Sequence, residues 1–128
     1  MMKSLNKSMI LALAFSGVLV APAVQADVFE VVSAPIADGV TVEQMRAADA
    51  PVGEFVAKLP GFISRENGVS VLENGISPGN EWFVIVRWDT IEHAQRAATL
   101  LSPTPVAAAM MKSLKTDQIF FRHYGVQN

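Results

Sequence analysis

Cysteine is absent from all 128 residues, which excludes disulfide staples, thiolate nucleophiles and cysteine metal sites. Histidine is nearly as scarce, with only His93 and His123, and no set of His, Asp and Glu residues with metal-ligand spacing accompanies them. Charged residues make up 17% of the chain, the formal net charge is −2 and the basic residues are scattered singly, so no nucleic-acid partner is expected. No glycine-rich stretch has phosphate-binding spacing, and no Ser-His-Asp arrangement can be assigned. After residue 26 no apolar run is long enough to cross a membrane.

The one long apolar run lies at the start. Lys3 and Lys7 precede Met9 to Val20, which is shorter than the roughly 20 residues that span a bilayer. Pro22 then leads to Ala23-Val24-Gln25-Ala26. This pattern predicts a secretory signal peptide over residues 1–26. Cleavage after Ala26 would leave residues 27–128 as one domain, with eight basic and twelve acidic side chains and a net charge of −4. A soluble, cysteine-free periplasmic domain, free of the membrane after cleavage, is the expectation.

The strongest single element is Glu81 to Asp89, a β-branched and aromatic run that reads as a strand. Its alternation puts Trp82, Val84, Val86 and Trp88 on one face and Phe83, Ile85 and Arg87 on the other. Val28 to Ser33 reads as a first strand. Thr41 and Gln44 form a capping-box pattern that opens a helix ending before Pro60-Gly61; Pro51 either kinks this helix or splits it. Phe62 to Asn67 reads as a second strand continuing through Val69 to Glu73, with a bulge at Asn67-Gly68, and Asn74-Gly75 and Pro78-Gly79-Asn80 punctuate the connection to the central strand. Asp89 or Thr90 caps a helix through Leu101, Thr104 and Pro105 start a short, small-residue-rich helix over 106–114 that is expected to pack closely, and Gln118 to Val126 closes the domain as a strand.

The order β-α-β-β-α-(α)-β predicts an α+β fold, the ferredoxin-like split arrangement with helices on one face of an antiparallel sheet. Several strands are apolar on both faces. An uncovered second face would expose a large apolar patch, so a homodimer with face-to-face sheets, a dimeric α/β barrel, is expected.

Three stretches carry a resemblance: Pro60-Gly61-Phe62-Ile63-Ser64-Arg65, Trp82 to Asp89 leading into Ile91-Glu92-His93-Ala94, and Ile119-Phe120-Phe121-Arg122-His123-Tyr124. Together they resemble the antibiotic biosynthesis monooxygenase (ABM)-like proteins of the dimeric α/β barrel superfamily. The resemblance implies a cofactor-independent monooxygenase acting on a small aromatic or quinol-like compound, with a non-catalytic barrel that binds a small hydrophobic ligand or is purely structural as the alternative. Haem degradation, also found among such barrels, would call for an Asn on the first strand, a Trp ending the third, which Trp88 matches, and an axial His near Val106 to Met111. The chain has Glu30 and no His there, so no cofactor is expected. On this reading His123 is the catalytic base if its face lines the dimer interior, and otherwise a partly buried residue near the sheet edge. Arg87, assigned to the interior with Phe83 and Ile85, either stabilises an oxyanion or pairs with Glu30. Arg65 reaches the cavity mouth or caps a solvated edge, Trp88 anchors the core or walls the pocket, and Tyr124 orients ligand or serves the dimer. His93 reads as a surface residue.

Overall fold

A computed structural model describes residues 27–72 and 80–127. The predicted leader and the Asn74-Gly75 and Pro78-Gly79 turns lie outside the described residues. The elements are β1 (Val28–Pro35), α1 (Val42–Val56), β2 (Phe62–Val69), β3 (Glu81–Trp88), α2 (Ile91–Leu101), α3 (Pro105–Lys112), a 3₁₀ turn (Thr116–Gln118) and β4 (Phe120–Gly125). Every neighbouring pair in the sheet is antiparallel, in the order β2-β3-β1-β4. This is the ferredoxin-like α+β fold.

Each helix starts on a threonine. The side chains of Thr41, Thr90 and Thr104 accept from the backbone N–H groups of Gln44, His93 and Ala107 respectively, and Gln44 completes the capping box at Thr41. These bonds satisfy donors that a helix start leaves without partners. Pro51 sits inside α1 without dividing it. The stripe that α1 buries is Met45, Asp49, Val52 and Val56, so a carboxylate occupies a core position of an otherwise apolar face.

The core lies between the sheet and the helices. Trp82, Val84, Val86 and Trp88 are all buried on the helix face of β3, while Phe83, Ile85 and Arg87 point to the other side. Register carries the same division across the sheet: Val28, Glu30, Val32 and Ala34 on β1 and Phe121 and His123 on β4 share the helix face. The outer face collects Phe29, Val31, Phe83, Ile85, Phe120 and Tyr124. Arg87 and Arg122 lie over the Phe29 and Phe120 rings, 5.0 and 4.9 Å from their centroids.

The second strand departs from expectation in two ways. It ends at Val69, and its irregularity lies between Phe62 and Ser64 rather than at Asn67-Gly68. Both Asn67 and Gly68 have duties within the ladder. Asn67 donates to Asp49, and Gly68 lies beneath the Phe83 ring, where a Cβ would meet Cε1 at 2.7 Å.

Candidate functional site

A cavity of about 370 Å³ lies between the helix face of the sheet and the three helices, within the roughly 300–1,000 Å³ of small-ligand pockets. Side-chain size explains it. Val32, Val84 and Val86 form the floor, and above them α2 and α3 present Ala97, Ala98, Ala107 and Ala108, which are too short to fill the space. The small-residue helix expected to pack closely does lie against α1, yet it leaves this gap over the sheet. Val52, Val56, Met110, Ile119 and Phe121 close the remaining sides.

Two charged groups, Glu30 and Arg65, interrupt this apolar lining. Both are cross-strand partners of Val86, one on each side, and His123 is the partner of Glu30 on β4. A single row, His123–Glu30–Val86–Arg65, therefore crosses all four strands on the helix face.

Glu30 is held at its tip. Its Oε1 accepts a hydrogen bond of 3.1 Å from Trp88 Nε1, and the Trp88 indole is braced edge-on by Phe62 at a centroid distance of 5.9 Å. Glu30 Oε2 faces His123 Nε2 at 3.4 Å, with the Glu30 side chain 12% exposed. That contact falls outside hydrogen-bond geometry, and Nε2 has no other partner among the described residues. The tautomer with its proton on Nε2 is the one that suits a facing carboxylate. Phe121 packs edge-on to the His123 ring at 5.2 Å. The two tryptophans differ here: Trp82 Nε1 is buried with no acceptor among the described residues, whereas Trp88 Nε1 orients a carboxylate.

Arg65 is fixed from the opposite side. Its Nη1 and Nη2 donate to Asp49 Oδ2 and Oδ1 at 2.8 and 2.7 Å, and Asn67 Nδ2 donates to Oδ2 at 2.5 Å. Asp49 is completely buried and the Arg65 side chain is 9% exposed. Gly53 makes room for this arrangement, because a Cβ there would stand 3.0 Å from Arg65 Nη1. A fork-to-fork pair of this kind fixes the guanidinium plane as well as its position.

The residues expected to act together are thus divided between the two faces of the sheet. Glu30, Arg65, Trp88 and His123 share the helix face, and of these His123 stands behind Glu30 rather than in the cavity wall. Phe83, Ile85, Arg87 and Tyr124 lie on the outer face, so Phe83, Ile85 and Arg87 stand, as expected, on the side away from the helices, while the cavity described above lies on the other side of the sheet. Arg87 does not meet Glu30; its Nε and Nη2 contact Asp27 Oδ2 at 2.8 and 2.7 Å. The reason is the pleat: Arg87 and Glu30 sit on neighbouring strands, but Arg87 is opposite Phe29, and residues one position apart point to opposite faces. His93 lies at the start of α2, its Nδ1 2.6 Å from Asp89 Oδ1 and its side chain 39% exposed, as expected for a surface residue. Asp49 was not foreseen as a site residue, although a carboxylate in an apolar helical stripe signals a buried cationic partner. The alanines of α2 and α3 carried no comparable signal, since small residues serve close packing as readily as a cavity.

The ferredoxin-like fold is shared with solved structures. One is SnoaB, a cofactor-independent oxygenase from Streptomyces nogalater, in a mutant form: TM-score 0.63, 16% identity, covering 80% of this chain and 95% of that one. A dimeric ferredoxin-like protein of unknown function from Thermobifida fusca matches with TM-score 0.63 and 13% identity over 80% of this chain and 92% of its own. A Caulobacter crescentus protein bearing the name of an antibiotic biosynthesis monooxygenase matches with TM-score 0.62 and 12% identity over 82% and 93%. At these identities the likeness is one of fold. No family model and no curated protein matches the sequence.

Proposed function

We propose that the protein is an exported, homodimeric barrel whose cavity binds a small aromatic, quinol-like compound and oxygenates it with dioxygen, without a bound cofactor. The observation that carries this reading is Glu30, a carboxylate oriented by Trp88 and set into an apolar cavity of ligand size. The fold shared with a cofactor-independent oxygenase supports it by analogy. Glu30 takes the place first expected of His123 and accepts the proton of a phenolic hydroxyl, with His123 as the positioning residue behind it. The phenolate delocalises its charge onto the ring, and dioxygen attacks an electron-rich ring carbon. One oxygen atom becomes a new carbonyl, and the other leaves as water with the hydrogens lost from the hydroxyl and the ring carbon. A phenol with an open para position would so give a quinone, itself supplying the four electrons.

The apolar outer face supports the homodimer, because a second copy packed sheet to sheet would cover Val31, Phe83, Ile85 and Phe120. Export rests on the leader pattern of residues 1–26, and a periplasmic protein beginning at Asp27, weighed by mass spectrometry, is the expected result. For the reaction, oxygen uptake with a panel of phenols open at the para position is expected to fall at least about a hundredfold in Glu30→Gln, with a smaller loss in His123→Ala. Undiminished uptake in Glu30→Gln would remove that carboxylate from the proton transfer. Ligand binding with no uptake for any of these phenols would instead identify a binding protein.

A further inference from the structure

We infer that the second copy docks one way round: the two-fold axis runs parallel to the strands, β2 of each subunit lies opposite β4 of the other, and Glu66 pairs with Arg122 of the partner subunit. The inference rests on the preceding reading of the outer face as a homodimer interface and adds its orientation. It follows from the cross-strand rows of that face. The middle row runs Glu66–Ile85–Val31–Arg122 from one sheet edge to the other. Its centre is apolar and its ends carry opposite charges, the make-up of an interface core within a polar rim.

Within one chain the two charges cannot meet. They stand on opposite edge strands, three strand spacings or about 14 Å apart. Both are exposed, and neither has an ion pair among the described residues.

Two aligned sheets packed face to face, about 10 Å apart, admit two simple half-turns. A half-turn about an axis along the strands exchanges the two edges and keeps each row at its own level, so Glu66 faces Arg122 of the partner subunit, twice in the dimer. A half-turn about an axis along the rows sets each edge against itself, so Glu66 faces Glu66 of the partner subunit and Arg122 faces Arg122 of the partner subunit. Charge selects the first. Side-chain size selects it independently. On either side of Glu66, β2 presents Ser64 and Gly68 to the outer face, whereas β4 presents Tyr124 and Phe120 at the same two levels. The first half-turn sets each aromatic ring over a small residue. The second crowds ring against ring at one edge and leaves a gap between small residues at the other, and close packing disfavours both.

Charge reversal read by sedimentation equilibrium tests the orientation. Glu66→Arg and Arg122→Glu should each raise the dimer dissociation constant at least about tenfold at low salt, because the symmetry repeats the pair and reversal turns attraction into repulsion; added salt should shrink the effect. The double reversal Glu66→Arg/Arg122→Glu restores opposite charges and should return the constant to within about threefold of the unaltered protein. Because the chain has no cysteine, introduced thiols report proximity without background. Treated with a short bismaleimide, Glu66→Cys/Arg122→Cys should give a covalent dimer, and neither single cysteine variant should. A dimer unmoved by both single reversals, a double reversal no better than the singles, a covalent dimer from either single cysteine variant or none from the double would each overturn the orientation while leaving the homodimer. A protein that stays monomeric at micromolar concentration would overturn both.

Discussion

Replacing Arg65 by methionine isolates the energetics of Asp49, a fully buried carboxylate in the core. Asp49 is completely enclosed, accepts two hydrogen bonds of 2.8 and 2.7 Å from Arg65, and is left with only Asn67 when the guanidinium is removed. Breaking a buried ion pair from one side costs about 3–5 kcal/mol, because the remaining carboxylate loses its counterion without regaining water. A domain of about 100 residues has a total stability of roughly 5–15 kcal/mol, so Arg65→Met removes a large share of it. Replacing both partners, as Asp49→Leu with Arg65→Met, removes the stranded charge and is expected to recover most of the loss. Urea unfolding at a fixed protein concentration reads both variants, the concentration being held because a dimer's stability depends on it. The midpoint should fall sharply in Arg65→Met and return towards the starting value in the double variant, with the slope unchanged. A loss below about 1 kcal/mol in Arg65→Met would show that the pair is solvated like a surface salt bridge, and an additive loss in the double variant would show that the two residues are not coupled.

Three further substitutions test other parts of the structure. Gly61 has φ +85°, and a Cβ there would overlap the Asp89 and His93 side chains, so Gly61→Ala should destabilise by about 1–3 kcal/mol and displace the His93 ring, detectable as a shifted imidazole resonance with the lower melting temperature. Val31→Glu places a carboxylate at the centre of the outer face beside its cross-strand partner Arg122; the subunit should stay folded by circular dichroism while the sedimentation coefficient falls to that of a monomer. Trp88→Phe removes the donor that holds Glu30 and should reduce affinity for phenols about tenfold, as loss of a bond to a charged group predicts. Trp82→Phe, which removes an indole N–H with no acceptor among the described residues, should change stability while leaving that affinity in place.

Local physics made the succession of elements readable. Thr41 with Gln44, Thr90, and Thr104 with Pro105 mark the three helix starts by chemistry complete within a few residues. The alternation of Trp82 to Trp88 divides β3 into two faces in the sequence and in the structure alike. Alternation separates the faces without saying which will border a cavity. That depends on the volume supplied from above, and only the docking of α2 and α3 shows that their alanines leave room over Val84 and Val86. Partner choice depended on the fold in the same way. Arg87 and Glu30 were both visible as charges on strands, but cross-strand register and the pleat gave Arg87 to Asp27 and Glu30 to Trp88. Asp49 was visible as an anomaly in an apolar stripe, while its partner Arg65 stands 16 residues further on and reaches it only when β2 lies beneath α1. The sequence by itself thus determined the elements, their order and the two faces of each strand, because these follow from interactions within a few residues. The side of the sheet that holds the cavity, and the pairing of charges around it, were decided by tertiary structure, because both arise from volumes and contacts between segments distant along the chain.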